Sequence, residues 1–237
     1  MKGLLKGFLR RFGLDLVRHA PDTLAPPDLL RLAIEHRLTT DDRFFFIQVG
    51  ANDGRRDDPI HDLVKARGLA GLLVEPLPAY HAALREHYAD CPALRFEQAA
   101  IAPVSGEAPM YHFDETADVP DWAHGLASLD RGRLEAESAK HGWSGTIVET
   151  VIPTITFRDL LEKHGVDGVS LLLIDTEGFD YEVLSMALEA GLRPDIVQYE
   201  FLHLRPDDRI AAKRRLIAAG YGVVDLEIDT LALREAQ

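Results

Sequence analysis

The chain has 237 residues, one cysteine and a formal net charge of −13. A chain of this length buries about 70% of its unfolded surface and needs no staple to fold. Cys91 has no second cysteine to pair with, which excludes an internal disulfide and any cysteine-built metal cluster and predicts a reducing, cytoplasmic setting. The acidic balance argues against nucleic acid as the partner, and no apolar run approaches the roughly 20 residues of a membrane span.

The charge is unevenly spread. Within the first 20 residues Lys2, Lys6, Arg10, Arg11 and Arg18 stand against Asp15 alone, so this stretch carries +4 and the remainder −17. Leu4, Leu5, Phe8, Leu9, Phe12 and Leu16 recur at helical spacing between the basic residues. A basic amphipathic helix of this kind lies on an anionic membrane surface or a membrane-bound assembly, or packs on its own domain with its charges solvated. Pro21, Pro26 and Pro27 interrupt the chain, and a short helix through Leu29–Ile34 follows. Residues 1–43 are read as this basic segment and its linker, and residues 44–237 as the main domain.

From Phe44 onward short apolar runs alternate with helical signals. Phe44–Val49 reads as a buried strand ending in the loop Gly50-Ala51-Asn52-Asp53-Gly54. Asp58 suits a helix N-cap, Pro59 the first helical position and Gly68 the helix end. Further strands are expected at Gly71–Val74, ending at Glu75-Pro76, and at Leu94–Phe96, ending at Glu97, Gln98 and Ala99, with a helix over Pro78–Tyr88 between them. Residues 103–150 read as a less regular insert covering the substrate, with a strand at Pro109–Phe113. After an extended stretch at Thr146–Thr156 come a helix at Phe157–His164 and a strongly apolar strand at Val169–Ile174, which ends in Asp175-Thr176-Glu177-Gly178. A helix at Tyr181–Ala190, a strand at Asp195–Tyr199 ending at Glu200, and a helix at Asp207–Ala219 complete the alternation. Gly222–Leu233 alternates like an antiparallel pair joined near Asp229-Thr230.

Apolar strands alternating with helices mean an α/β fold: a parallel sheet covered on both faces, with ligands beyond the carboxyl ends of the strands. The glycine loop after the first strand is a weak signal alone, since such glycines commonly serve a turn. Glu75, 25 residues after Gly50 at the next strand end, can accept both hydroxyls of a ribose, and the Gln98 amide can read an adenine edge. The loop lacks the Gly-x-Gly-x-x-Gly of dinucleotide sites, and Asp53 would repel a diphosphate. A cationic adenosine cofactor, S-adenosylmethionine, is therefore preferred to NAD.

At this point FIQVGANDG, LLVEPLPAY, EQAAIA, LLLIDTEGFDYEVL and IVQYE, in this order over Phe44–Phe201, resemble the FkbM family of S-adenosylmethionine-dependent methyltransferases. Ile-Asp-x-Glu-Gly before a helix, with Glu-Pro-x-Pro upstream, is the most specific part. The resemblance implies a Rossmann-like class I methyltransferase fold: a mostly parallel seven-stranded sheet with a C-terminal antiparallel pair and helices on both faces. It also implies O-methylation, commonly of a sugar or polyketide hydroxyl. Gln48 stands where the family usually has an acidic residue, and Asn52 where methyltransferases commonly have glycine; Asp53 is then expected to hold the methionine ammonium.

Methyl transfer to a hydroxyl needs in-line alignment and a base or a metal. Asp175, Glu177 and His203 are the expected bases, with Asp175 also near the cofactor. Glu177 has a bland alternative as a helix cap, and His203 as one of ten histidines. Asp175 and Glu200 are the expected carboxylates for one hard divalent cation, Mg²⁺. Trp122 and Trp143 are expected to stack on a sugar face, with His124, Asp130, Arg131 and Glu200 binding hydroxyls of a small-molecule or glycan acceptor; alternatively the tryptophans pin the insert to the domain. The competing functions are an NAD-dependent oxidoreductase on a Rossmann sheet and a non-catalytic adenosine-binding scaffold.

Overall fold

The computed structural model describes residues 28–234 except 57 and 115, and the side chains of Asp121 and Trp122 are also outside the description. The basic amphipathic segment therefore lies outside the described residues. The elements in chain order are α1 (Leu29–Leu38), β1 (Phe45–Val49), α2 (His61–Arg67), β2 (Ala70–Val74), α3 (Pro78–His87), β3 (Leu94–Glu97), β4 (Ala100–Ile101), β5 (Gly106–Phe113), a 3-10 turn (Asp121–Gly125), β6 (Ala127–Ser128), α4 (Arg131–His141), β7 (Ile147–Ile155), α5 (Phe157–His164), β8 (Leu171–Ile174), α6 (Asp180–Glu189), β9 (Ile196–Glu200), α7 (Pro206–Ala218), β10 (Tyr221–Asp225) and β11 (Asp229–Arg234). Among the described residues no helix is long and apolar enough to cross a membrane.

Seven strands form the main sheet in the order β10-β11-β9-β8-β1-β2-β3. The five from β9 to β3 are parallel, and β11 and β10 close the edge antiparallel. Strand order reverses at β1, which pairs with β2 on one side and β8 on the other. The expected fold is observed. Alternation along each strand divides the core between the two faces. Ile47, Val49, Leu172 and Ile174 pack with Leu160 of α5, Val183 and Leu184 of α6 and Leu216 of α7. Phe46, Leu73 and Leu171 pack with Leu63 of α2 and Leu84 of α3, and also with Leu30 and Ile34 of α1. The core of the main domain thus includes α1, which the sequence places in the leading linker.

Helix ends follow ordinary capping chemistry. The side chains of Asp28, Asp130 and Thr156 accept backbone N–H bonds at the starts of α1, α4 and α5. Asp58 acts one turn early. Its Oδ1 accepts from Ile60 N at 2.9 Å and its Oδ2 from the Tyr88 hydroxyl at 2.9 Å, so α2 begins at His61 and not at Pro59.

The insert is more ordered than its sequence suggests. Its strands build a second sheet, β4-β7-β5-β6, around a long antiparallel β5–β7 pair running from Gly106 opposite Thr154 to Phe113 opposite Ile147. Helix α4 sits between β6 and β7. The terminal hairpin also differs from expectation: its turn precedes Asp229, because Asp225 and Thr230 already face each other across the ladder.

Gly71 in β2 is opposite Phe46 of β1, and a Cβ there would stand 2.2 Å from the Phe46 ring. Gly71→Ala should lower unfolding free energy by about 1–3 kcal/mol through overpacking. Urea denaturation of the two proteins measures this.

Candidate active site

The register of the parallel strands aligns their carboxyl ends. Val49 is opposite Val74 and Ile174, Val74 opposite Glu97, and Ile174 opposite Tyr199. The next residues, Gly50, Glu75, Gln98, Asp175 and Glu200, therefore form one row across the sheet. A cavity of about 600 Å³ opens along this row, with Gly50, Glu75, Asp175 and Glu200 in its lining.

Backbone conformation brings the two central loops together. Gly50 has φ +81°, and a Cβ on it would lie 1.7 Å from the Asp175 carbonyl oxygen, so only glycine fits. Asn52 has φ +48°, the left-handed region that glycine enters freely and asparagine tolerates. That explains asparagine at a position where glycine is common. Asn52 also meets the insert, since a Cβ on Gly125 would stand 2.7 Å from its Nδ2.

Glu75 lies at the β2 end, buried, with Oε2 accepting from Asn52 N at 3.0 Å and Oε1 from Leu77 N at 2.9 Å. Burial pushes its pKa up to about 7; the two N–H bonds pull it down and the Asp175 charge adds to the rise. Ala51, Pro76 and Ala99 also line the cavity. Three assigned cofactor residues are placed elsewhere. The Asp53 carboxylate folds back to accept from Arg55 N and Arg56 N at 2.9 and 2.8 Å. Burial raises its pKa, but these bonds and His87 outweigh it and leave the pKa lowered. Asp53 thus holds its own loop through Oδ1 and lies outside the cavity lining. Gly54 packs against Leu84 and Tyr88. Gln98 lies outside the lining: the chain leaves β3 there for β4, and Ala99, Ala100 and Ile101 form the wall.

Gln48 and Gln198 occupy the same level of the sheet on either side of Leu173. Both are buried, both line the cavity, and the Oε1 of each has no hydrogen-bond partner.

The opposite end is acidic. Asp180, fully buried, accepts from Thr176 N at 3.3 Å and Gly178 N at 3.1 Å and shapes the loop after β8. Helix α6 has no side-chain cap, so Glu177 is not a capping residue. Glu177 instead has φ +53° and faces the cavity with His203 and Glu200. Burial, then the charges of Asp175, Asp180 and Glu137, push its pKa up to about 8. Burial and the charges of Asp175 and Glu177 push Glu200 up to about 9. Burial pushes the His203 pKa down. His203 Nε2 stands 3.4 Å from Glu177 Oε2 and 3.9 Å from Glu200 Oε1. Among the described residues the three-residue grouping with metal-binding spacing is Glu177, Glu200 and His203, and it does not include Asp175.

Of the expected acceptor residues, Glu200 faces the cavity. Trp143 packs edge-on to Phe113 at 5.8 Å and flat on His141 at 4.7 Å, joining β5 to the end of α4 within the insert. His124 lies in the 3-10 turn outside the lining, Asp130 caps α4, and Arg131 pairs with Glu135 at 2.8 Å. The insert lines the cavity with Met110 of β5, Gly125, Ala127–Leu129 around β6, and Glu137, Lys140 and His141 of α4. The spacing of these α4 residues at i, i+3 and i+4 on one helix face was the available signal.

The methyltransferase FkbM domain model matches residues 48–222, about three quarters of the chain. The chain belongs to the FkbM methyltransferase family. Solved structures similar to it include the N-terminal domain of human METTL16, at 12% identity and TM-score 0.46 over 99% of this chain and 80% of that one. A precorrin-6y C5,15-methyltransferase from Geobacter metallireducens has 11% identity and TM-score 0.45 over 92% of this chain and 93% of that one. The Methanococcus jannaschii fibrillarin pre-rRNA processing protein has 12% identity and TM-score 0.42 over 82% and 68% respectively. No curated protein matches the chain in sequence.

In this FkbM-type site the ionised form of Glu75 is the better acceptor for two donor hydroxyls. With its pKa at about 7, S-adenosylhomocysteine should bind more tightly as pH rises from 6 to 8. Calorimetric titration across that range checks this, and Glu75→Gln should flatten the profile.

Proposed function

We propose that the protein transfers the methyl group of S-adenosylmethionine to a hydroxyl of a sugar, glycan or related metabolite. The observation that carries this reading is the single cavity wall running from buried Glu75 to the Asp175–Glu177–Glu200–His203 cluster. Glu75 suits the ribose, the Ala99–Ile101 strip an adenine, and the unpartnered Gln48 oxygen a donor on the methionine end. The acidic end suits the sulfonium and an acceptor rich in donor groups. A body at −17 disfavours nucleic acid as that acceptor.

The acceptor oxygen attacks the methyl carbon in line with the carbon–sulfur bond. That bond breaks with its electron pair left on sulfur, and S-adenosylhomocysteine results. The hydroxyl proton passes to Asp175, Glu177 or His203. At least one of Asp175→Asn, Glu177→Gln and His203→Ala should lose about 10²–10⁴-fold in turnover while still binding S-adenosylhomocysteine. Transfer of labelled methyl to a panel of glycosides reads this. Wild-type turnover in all three variants removes the base assignment, and absence of S-adenosylmethionine binding removes the whole reading.

We also infer that residues 1–20, at +4, bring the enzyme to an anionic lipid surface. Full-length protein should sediment with phosphatidylserine vesicles better than a version lacking residues 1–20, and equal sedimentation refutes this.

A further inference from the structure

Glu177, Glu200 and His203 reach the acceptor end from two loops, those after β8 and β9. One carboxylate oxygen of each glutamate and one ring nitrogen of the histidine all lie within 4.8 Å of one another. The 3.4 and 3.9 Å separations from His203 Nε2 exceed ordinary N–H···O lengths. Glu200 is 9% exposed, and its Oε2 has no hydrogen-bond partner; neither has the Oε2 of Glu177. Buried carboxylate oxygens with no donor are expensive, and a bound positive charge removes that cost. A cation held at about 2.0–2.2 Å by such donors sets them roughly 3–3.6 Å apart. The observed grouping needs only side-chain adjustment to reach that spacing.

We propose that Glu177, Glu200 and His203 bind one divalent first-row transition ion, of which Mn²⁺ is the representative. The imidazole decides against Mg²⁺, which favours all-oxygen surroundings, and two carboxylates suit Mn²⁺. Three protein ligands leave positions open for oxygens of the acceptor. The inference rests on the proposed methyl transfer. Bound there, the ion would hold and acidify the acceptor hydroxyl, and Asp175, outside the ligand set, would accept its proton. His203 is then a ligand and not the base. This set replaces the Asp175–Glu200 pair expected from the sequence.

The test is titration of Mn²⁺ into the full chain saturated with S-adenosylhomocysteine, with free Mn²⁺ followed by electron paramagnetic resonance. One ion should bind per chain. Glu200→Gln and His203→Gln should each weaken it by about tenfold or more. Glu107→Gln, on the exposed start of β5, should leave it unchanged. Failure to bind one Mn²⁺ per chain, or unaltered affinity in both site variants, overturns the site. S-adenosylhomocysteine affinity is measured separately without metal. If it and methyl transfer survive chelation while Mn²⁺ does not bind, the ion is refuted and the methyltransferase reading stands. If S-adenosylhomocysteine does not bind, that reading falls instead.

Discussion

Parallel pairing in register forces the last residues of neighbouring strands into one row, and everything at this site depends on what that row holds. Here it holds three acids, Glu75, Asp175 and Glu200, with Glu177 two residues beyond. Two like charges about 4 Å apart repel by about 4 kcal/mol at an effective dielectric constant of 20. Burial first, and then the neighbouring carboxylates, push the pKa values of Glu75, Glu177 and Glu200 up together. The same repulsion is a stored affinity for positive charge. On the proposed reading, a sulfonium at this row favours the ionised carboxylates and is attracted by them.

Such a row survives because the rest of the sheet holds it in place. Both faces of β1, β2 and β8 are covered by apolar side chains from helices, so the strands cannot shift to separate their ends. The loops then contribute what strands cannot. Gly50 lets the backbone after β1 touch the Asp175 carbonyl, and Asn52 and Glu177 take up left-handed conformations. A left-handed glutamate is costly by roughly 1–2 kcal/mol. Asp180 anchors the loop that imposes it, through bonds to Thr176 N and Gly178 N. The result aims Glu177 at His203 and not at the start of α6.

Strand ends were legible because periodicity locates where an apolar run stops, and the row followed from parallel order alone. Side-chain direction was not legible. Asp53 and Gln98 sit at the right positions along the chain, yet Asp53 turns to its own N–H groups and Gln98 begins the crossing to the second sheet. The placing of α1 outside the domain failed for a related reason. Leu30 and Ile34 carry a helical stripe, but nothing local states that it meets Phe46 and Leu171. Trp143 was illegible in another way. An aromatic ring suited to a sugar is equally suited to holding a loop, and Trp143 is spent on Phe113 and His141.

The two ends of the cavity come from different parts of the chain. On the proposed reading the cofactor end is built from the ends of β1 and β2, their loops and the Ala99–Ile101 strip after β3. The acceptor end is shared between the loops after β8 and β9 and one face of α4. Trp143 fixes the end of α4 by stacking on His141, and Glu137 is tied to Lys140 and His141 at 2.9 Å each. Glu137 also acts on Glu177 and His203 through its charge. Changes on α4 therefore reach the reacting groups without touching Glu75 or Gly50. On the proposed reading, exchanging α4 alters the acceptor end while Gly50 and Glu75 stay where β1 and β2 hold them.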